Sequence, residues 1–142
     1  MNEHNLFQML VSFTSSVHEV THELTKDAKP EALSHVQYKM LEYIAISQPV
    51  TPSEINDCQN MSMPNTSREL GKLKKSGLIQ SIPDEKDRRK HYVCLTPEGE
   101  SLMNNSFAII QSHFHERIQH LSKDELKNMQ EAMALLQSKL FY

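Results

Sequence analysis

Residues 51–80, TPSEINDCQNMSMPNTSRELGKLKKSGLIQ, have the pattern of two short helices joined by a tight turn. Residues 81–99, SIPDEKDRRKHYVCLTPEG, continue as the end of one strand, a charged tip, a second strand and the start of a helix. A helix-turn-helix presents side chains to base edges in the major groove. A basic hairpin tip reaches phosphates or an adjacent minor groove. The two in tandem predict a DNA-binding lobe made of a helix-turn-helix and a wing.

Local patterns sharpen each boundary. Thr51-Pro52-Ser53-Glu54 fits a capping box with proline at the first helical position. That helix should stop near Gln59-Asn60, where Asn tolerates the left-handed conformation. Ser62 can cap the next helix, which runs to Ser76-Gly77. Steps of about 100° per residue put Thr66, Leu70 and Leu73 on one side. Pro64, Asn65, Arg68, Lys72 and Lys75 fall on the other. Gly71 lies beside them and costs roughly 1 kcal/mol against Ala in a helix interior. It marks either a close backbone approach or a plain weak spot. Leu78–Ile82 and His91–Leu95 read as strands flanking the polar loop 83–90.

Outside this lobe the signals are helical. Leu6, Leu10, Phe13, Val17, Val20 and Leu24 form one apolar stripe over residues 3–25. Ser34 and Gln37 fit another capping box, opening a helix with Val36, Met40, Leu41 and Ile44 that ends before Pro49. Thr96-Pro97-Glu98-Gly99 starts a long helix to about Leu121, and Ser122 with Glu125 caps a last one. The last carries Leu126, Met129, Met133, Leu136 and Leu140. The central lobe can cover only part of the two terminal stripes, which predicts a homodimer. The alternative is that the two end helices pack on each other within one chain.

At 142 residues the chain fits one domain with a core that needs neither disulfide nor metal. Its net charge of −3 argues against nucleic acid, but the distribution reverses that. From Arg68 to His91 eight Lys/Arg face four acids, a local +4 that leaves −7 on the rest. One face should attract phosphate while the others repel it. Cys58 and Cys94 make neither a disulfide framework nor a metal spacing. No signal peptide or membrane-length apolar run is evident, so a cytoplasmic, non-membrane protein is expected.

The chain resembles the MarR (multiple antibiotic resistance regulator) family over nearly its whole length. The carriers are Arg68-Glu69-Leu70, Leu73-Lys74-Lys75-Ser76-Gly77-Leu78-Ile79, Asp87-Arg88-Arg89 and Leu95-Thr96-Pro97-Glu98-Gly99. Gln59 and Asn60 depart from the Leu and Gly common before the recognition helix, and Glu69 replaces a common apolar residue. The resemblance implies one MarR-type domain over 1–142. Its winged-helix lobe would occupy about 34–99, with dimerisation helices at about 3–25 and 100–142. The fold would be mainly α with a small antiparallel β-hairpin wing. It further implies a homodimeric, non-enzymatic repressor on a pseudo-palindromic double-stranded operator, released by a small-molecule effector and needing no cofactor.

On the family pattern Ser62, Pro64, Asn65, Ser67 and Arg68 sit at the reading end of the recognition helix, and Lys72 and Lys75 meet phosphates. Arg89 enters the minor groove with Arg88 and Lys86 nearby, while Asp87 orients the wing by pairing with a basic residue such as Arg68. Effectors in such proteins enter a crevice that Phe13, Val17, His35, Tyr38 and Phe107 would line here.

Four other readings weigh less. His18-Glu19-Val20-Thr21-His22 matches the H-E-x-x-H pattern of zinc proteases, but on an end helix with no evident third ligand or cleft. A metal-responsive regulator would draw on His18, His22, His113, His115 and Glu116, although residues two apart on a helix cannot aim at one ion. A protein-interaction module that has lost DNA reading is the rival of another class. Redox sensing in such proteins uses a cysteine near the start of the first helix, and residues 1–57 hold none; Cys58 in the first helix of the helix-turn-helix and Cys94 in a wing strand are the thiols left to serve it.

Overall fold

A computed structural model describes residues 2–142. It comprises α1 (Glu3–Thr25), α2 (His35–Ser47), α3 (Pro52–Gln59), α4 (Met63–Lys75), β1 (Ile79–Pro83), β2 (His91–Leu95), α5 (Pro97–Ile118) and α6 (Lys123–Lys139). Two compact units divide within α5, one covering Met1–Ile110 and the other Gln111–Tyr142. The expected mainly helical fold with one small antiparallel sheet is what forms.

The caps appear where the hydroxyl residues stand. Ser34, Thr51 and Ser122 each accept the amide of the third helical residue, and Gln37, Glu54 and Glu125 reach back to complete three capping boxes. The Glu125 carboxylate, held by the Ser122 amide and hydroxyl, sits below its ordinary pKa. α5 ends three residues short of the expected Leu121. A turn closed by the Leu121 amide on the Ile118 carbonyl (3.0 Å) frees Ser122 to cap α6.

In the first unit the core gathers Met40, Leu41 and Ile44 from α2, Ile55 from α3, Leu70 and Leu73 from α4, and Met103 from α5. Ile79, Val93 and Leu95 close it from the hairpin. The hairpin register pairs Ile79 with Leu95 and Pro83 with His91. A contact absent from the sequence reading extends it: Val50 forms an isolated antiparallel bridge to Val93, with bonds of 3.1 and 2.6 Å. The Gln48 side chain accepts the Leu95 amide at 2.9 Å, tying the end of α2 to the same strand.

Tyr38 is buried, and its hydroxyl lies beside Ser106 without a hydrogen bond of normal geometry; the Ser106 hydroxyl donates instead to the Ala28 carbonyl at 2.8 Å. Burial raises the phenol above its ordinary value of 10.0; Glu42 adds to this and Ser106 opposes it. A raised folded value means that the neutral phenol stabilises the fold below the unfolded pKa of about 10 and that this contribution falls away as pH rises further. Tyr38→Phe should therefore match or exceed the parent in stability at pH 7. It should also flatten the loss of stability as pH rises past about 10 in urea melts.

A corner joins α4, the hairpin and α5. Gly77, at φ 78°, ends α4 with paired bonds: its own amide to Lys74 O, and the Leu78 amide to Leu73 O (3.1 Å). The Thr96 hydroxyl then donates to the Gly77 carbonyl (2.6 Å) and accepts the Gly99 amide (3.0 Å). The Thr96 amide donates to the Leu78 carbonyl at 3.1 Å. Gly99 packs so closely on that carbonyl that a Cβ would run into its oxygen. Leu-Thr-x-x-Gly is thus the closure of the helix-turn-helix onto the next helix.

Neither α1 nor α6 buries a single residue. Leu6, Phe13 and Val17 of α1 stay exposed, as do Leu126, Met129, Met133 and Leu140 of α6 and its C-terminal flank.

Candidate nucleic-acid interface

The reading helix is set by its turn. Asn60 takes the left-handed conformation at φ 52°, and the Met61 amide donates back to Asn56 O at 3.2 Å. Ser62 then caps α4 by accepting the Asn65 amide at 3.4 Å, with Pro64 in the first turn where no intrahelical donor is needed. Thr66 is wholly buried, and its hydroxyl donates to Asn56 Oδ1 at 2.8 Å. One side-chain bond thereby fixes the angle between α3 and α4. Periodicity marks Thr66 as inward-facing, but nothing in the sequence signals that Asn56 is its partner.

With Thr66, Leu70 and Leu73 turned inward, Ser62, Pro64, Asn65, Ser67, Arg68, Lys72 and Lys75 are all exposed. Asn65, Arg68, Lys72 and Lys75 recur at spacings of three and four, so they share a face of α4. Lys74 points elsewhere, donating to Ser81 Oγ at 3.2 Å and anchoring α4 to β1. No protein atom approaches the space a Cβ would take at Gly71, so close packing within the chain does not explain that glycine. Gly71→Ala should raise stability by about 1 kcal/mol. A thermal melt should register this as roughly 3 °C.

The wing tip is a compact turn. The Asp84 amide donates to Lys90 O (3.0 Å) and the Lys90 amide to Asp87 O (3.1 Å). Lys86, Arg88 and Arg89 are exposed on it. Asp87 does not pair with Arg68 as the sequence reading expected; its Oδ1 accepts the Arg89 amide at 3.0 Å. A short Asp side chain closes a bond two residues on more readily than it reaches another element. Asp87 therefore shapes the tip locally. The Lys90 ammonium lies 5.3 Å from the centre of the Tyr92 ring, and Tyr92 raises its pKa.

Other sequence candidates fall outside this surface. His18, Glu19, His22 and Glu23 line a shallow open groove on α1. No group of three or more His, Cys, Asp or Glu among the described residues is placed to hold a metal ion. Cys58 is exposed and Cys94 half-buried in β2. Of the expected effector-lining residues, Tyr38 is core, Phe107 packs at the core's edge, and Phe13, Val17 and His35 are exposed. Among the described residues no helix is long and apolar enough to cross a membrane.

A capped second helix, a hairpin with a basic tip and a buried lock between the two helices define a winged helix-turn-helix lobe. A family profile described as MarR family matches residues 33–90, the lobe just described. The HTH-type transcriptional regulator YdgG of Bacillus subtilis is 26% identical over 144 residues, covering 98% of this chain and 95% of that protein. The multiple antibiotic resistance protein MarR of Escherichia coli is 21% identical over 131 residues, covering 89% and 91%. Among solved structures, the regulator Tm0710 of Thermotoga maritima superposes with a TM-score of 0.75 at 16% identity, covering 92% of this chain and 98% of that one. S. aureus MepR bound to ethidium bromide gives 0.65 at 22% identity, covering 99% and 97%. A mutant of MepR bound to an oligodeoxyribonucleotide gives 0.60 at 21%, covering 99% of both chains. The chain is thus similar over nearly its whole length to regulators of the MarR family, and its residues 33–90 match that family's profile.

Proposed function

We propose that this regulator is a homodimeric repressor that binds a pseudo-palindromic operator and is released by a small ligand. α4 enters the major groove with Asn65, Ser67 and Arg68 at base edges, where Arg favours guanine and Asn adenine. Lys72 and Lys75 meet phosphates, and the wing brings Arg89, flanked by Arg88 and Lys86, to the neighbouring minor groove. The observation that carries this reading is the exposed basic surface of α4 and the wing tip on a chain whose remainder is acidic. The MepR structure with an oligodeoxyribonucleotide supports it by analogy of fold.

Dimerisation is supported by the uncovered apolar residues of α1 and α6, which would otherwise stand in water. Two copies would place their reading helices about one helical turn, roughly 10 bp, apart. The ethidium complex of MepR supports a ligand-released mechanism, for which the buried Tyr38 hydroxyl offers one unsatisfied polar group.

The test is a fluorescence titration against DNA from upstream of its own gene, at two salt concentrations and with competitor duplex present, together with the mass of the protein in solution. Tight, competitor-resistant binding that weakens steeply with salt, by a dimer, is the expected result. Binding with a salt slope near zero, or none at all, would favour a winged-helix module for protein partners, the reading to which the −7 outside the basic window points.

A further inference from the structure

One carboxylate sits among the basic residues of the reading helix. Glu69 is held from both sides: its Oε2 accepts Gln37 Nε2 at 3.1 Å, and its Oε1 lies 3.5 Å from Lys72 Nζ. Gln37 is itself fixed, because its Oε1 accepts the Ser34 amide at 3.1 Å and its own amide donates to Ser34 Oγ at 3.1 Å. With the carbonyl of its side chain occupied, the amide nitrogen is the end that faces Glu69. The Glu69 side chain is only 18% exposed, against 57% for Lys72. The carboxylate cannot swing into solvent without abandoning Gln37, so Lys72 has a fixed counter-charge on its own helix.

We propose that Glu69 is a positioning residue that trims the sequence-independent attraction of α4 for DNA by holding Lys72, and that Gln37 keeps it in place to do so. The proposal rests on the DNA-binding reading above. A lysine contributes to that attraction by displacing a condensed counterion at a phosphate. Lys72 arrives already paired with a carboxylate, and Glu69 brings a negative charge toward the same phosphates. Lys75, exposed one turn later, has no such carboxylate partner among the described residues. The chain of bonds from Ser34 through Gln37 and Glu69 to Lys72 also means that the start of α2 sets where this counter-charge stands.

The test compares wild type with Glu69→Gln on a random-sequence duplex across a salt series, with upstream DNA in parallel. The amide keeps an acceptor for Gln37 and frees Lys72. Random-duplex binding should tighten about threefold per protomer at low salt, and the slope of log affinity against log salt should steepen by about 0.9 per protomer. In a Lys72→Gln background the same substitution should lose most of its effect. No gain, or an undiminished gain without Lys72, would overturn the proposal. Should Glu69→Gln fail to fold, Lys72→Gln and Lys75→Gln replace it: Lys72→Gln should flatten the slope by less than half as much as Lys75→Gln, and equal losses would overturn it. Wild-type protein that binds neither duplex would overturn the DNA-binding reading itself, before any variant is compared.

Discussion

Arg89→Ala is expected to weaken operator binding on the order of tenfold or more while leaving the dimer and its melting temperature unchanged. The separation of the two effects comes from the geometry of the tip. The main chain at Arg89 is held by Asp87 Oδ1 through the backbone amide, and Asp84 and Lys90 close the turn on either side. The guanidinium takes no part in those bonds, so its removal leaves the wing in place and subtracts only what it does to DNA. A tenfold loss is about 1.4 kcal/mol, modest for an arginine in a narrow groove of strong negative potential. Loss of a phosphate contact would in addition flatten the salt slope by about 0.9 per protomer. An unchanged affinity at physiological salt would remove the wing from the mechanism.

Gly99→Ala carries the largest expected effect on stability. The added methyl meets the Leu78 carbonyl oxygen, which also accepts the Thr96 amide, so the obstacle is backbone and cannot rotate away. Overpacking costs about 1–3 kcal/mol, and the strained or lost hydrogen bond adds roughly 1. The gain from replacing glycine by alanine in a helix, about 1 kcal/mol, offsets only part of this. A net loss of about 2 kcal/mol should lower the melting temperature by roughly 5–10 °C. A variant melting within a degree of the parent would show that the close approach is relieved in solution. Gly71→Ala, with open space at its Cβ, is the internal control and should shift the other way.

The two glycines illustrate what sequence reasoning reaches. Gly99 stands out as part of Leu-Thr-x-x-Gly, but its reason is a carbonyl twenty-one positions earlier that no local pattern announces. Local interactions are legible: a hydroxyl three residues before the amide it accepts, at Ser34, Thr51 and Ser122, forms the same cap in any fold. The inward set Thr66, Leu70 and Leu73 was equally legible, because helical period sorts burial without reference to the neighbours. Polar contacts between elements were not. Asn56 with Thr66, Gln37 with Glu69, and the bridge from Val50 to Val93 join residues whose identities carry no period. Asp87 failed for the opposite reason, since a distant partner was assumed where the amide two residues away was within reach.

The Thr96 corner has a consequence for how the reading head can be steered. Gly77, Leu78, Thr96 and Gly99 share their carbonyls and amides across the end of α4, the root of the wing and the first turn of α5. Those three pieces are therefore tied to one another at that point. A displacement of the first turn of α5 would act through these bonds on the far end of α4. If α4 reads DNA, its aim would thus be coupled to the first turn of α5 through the corner rather than through a flexible joint inside the lobe.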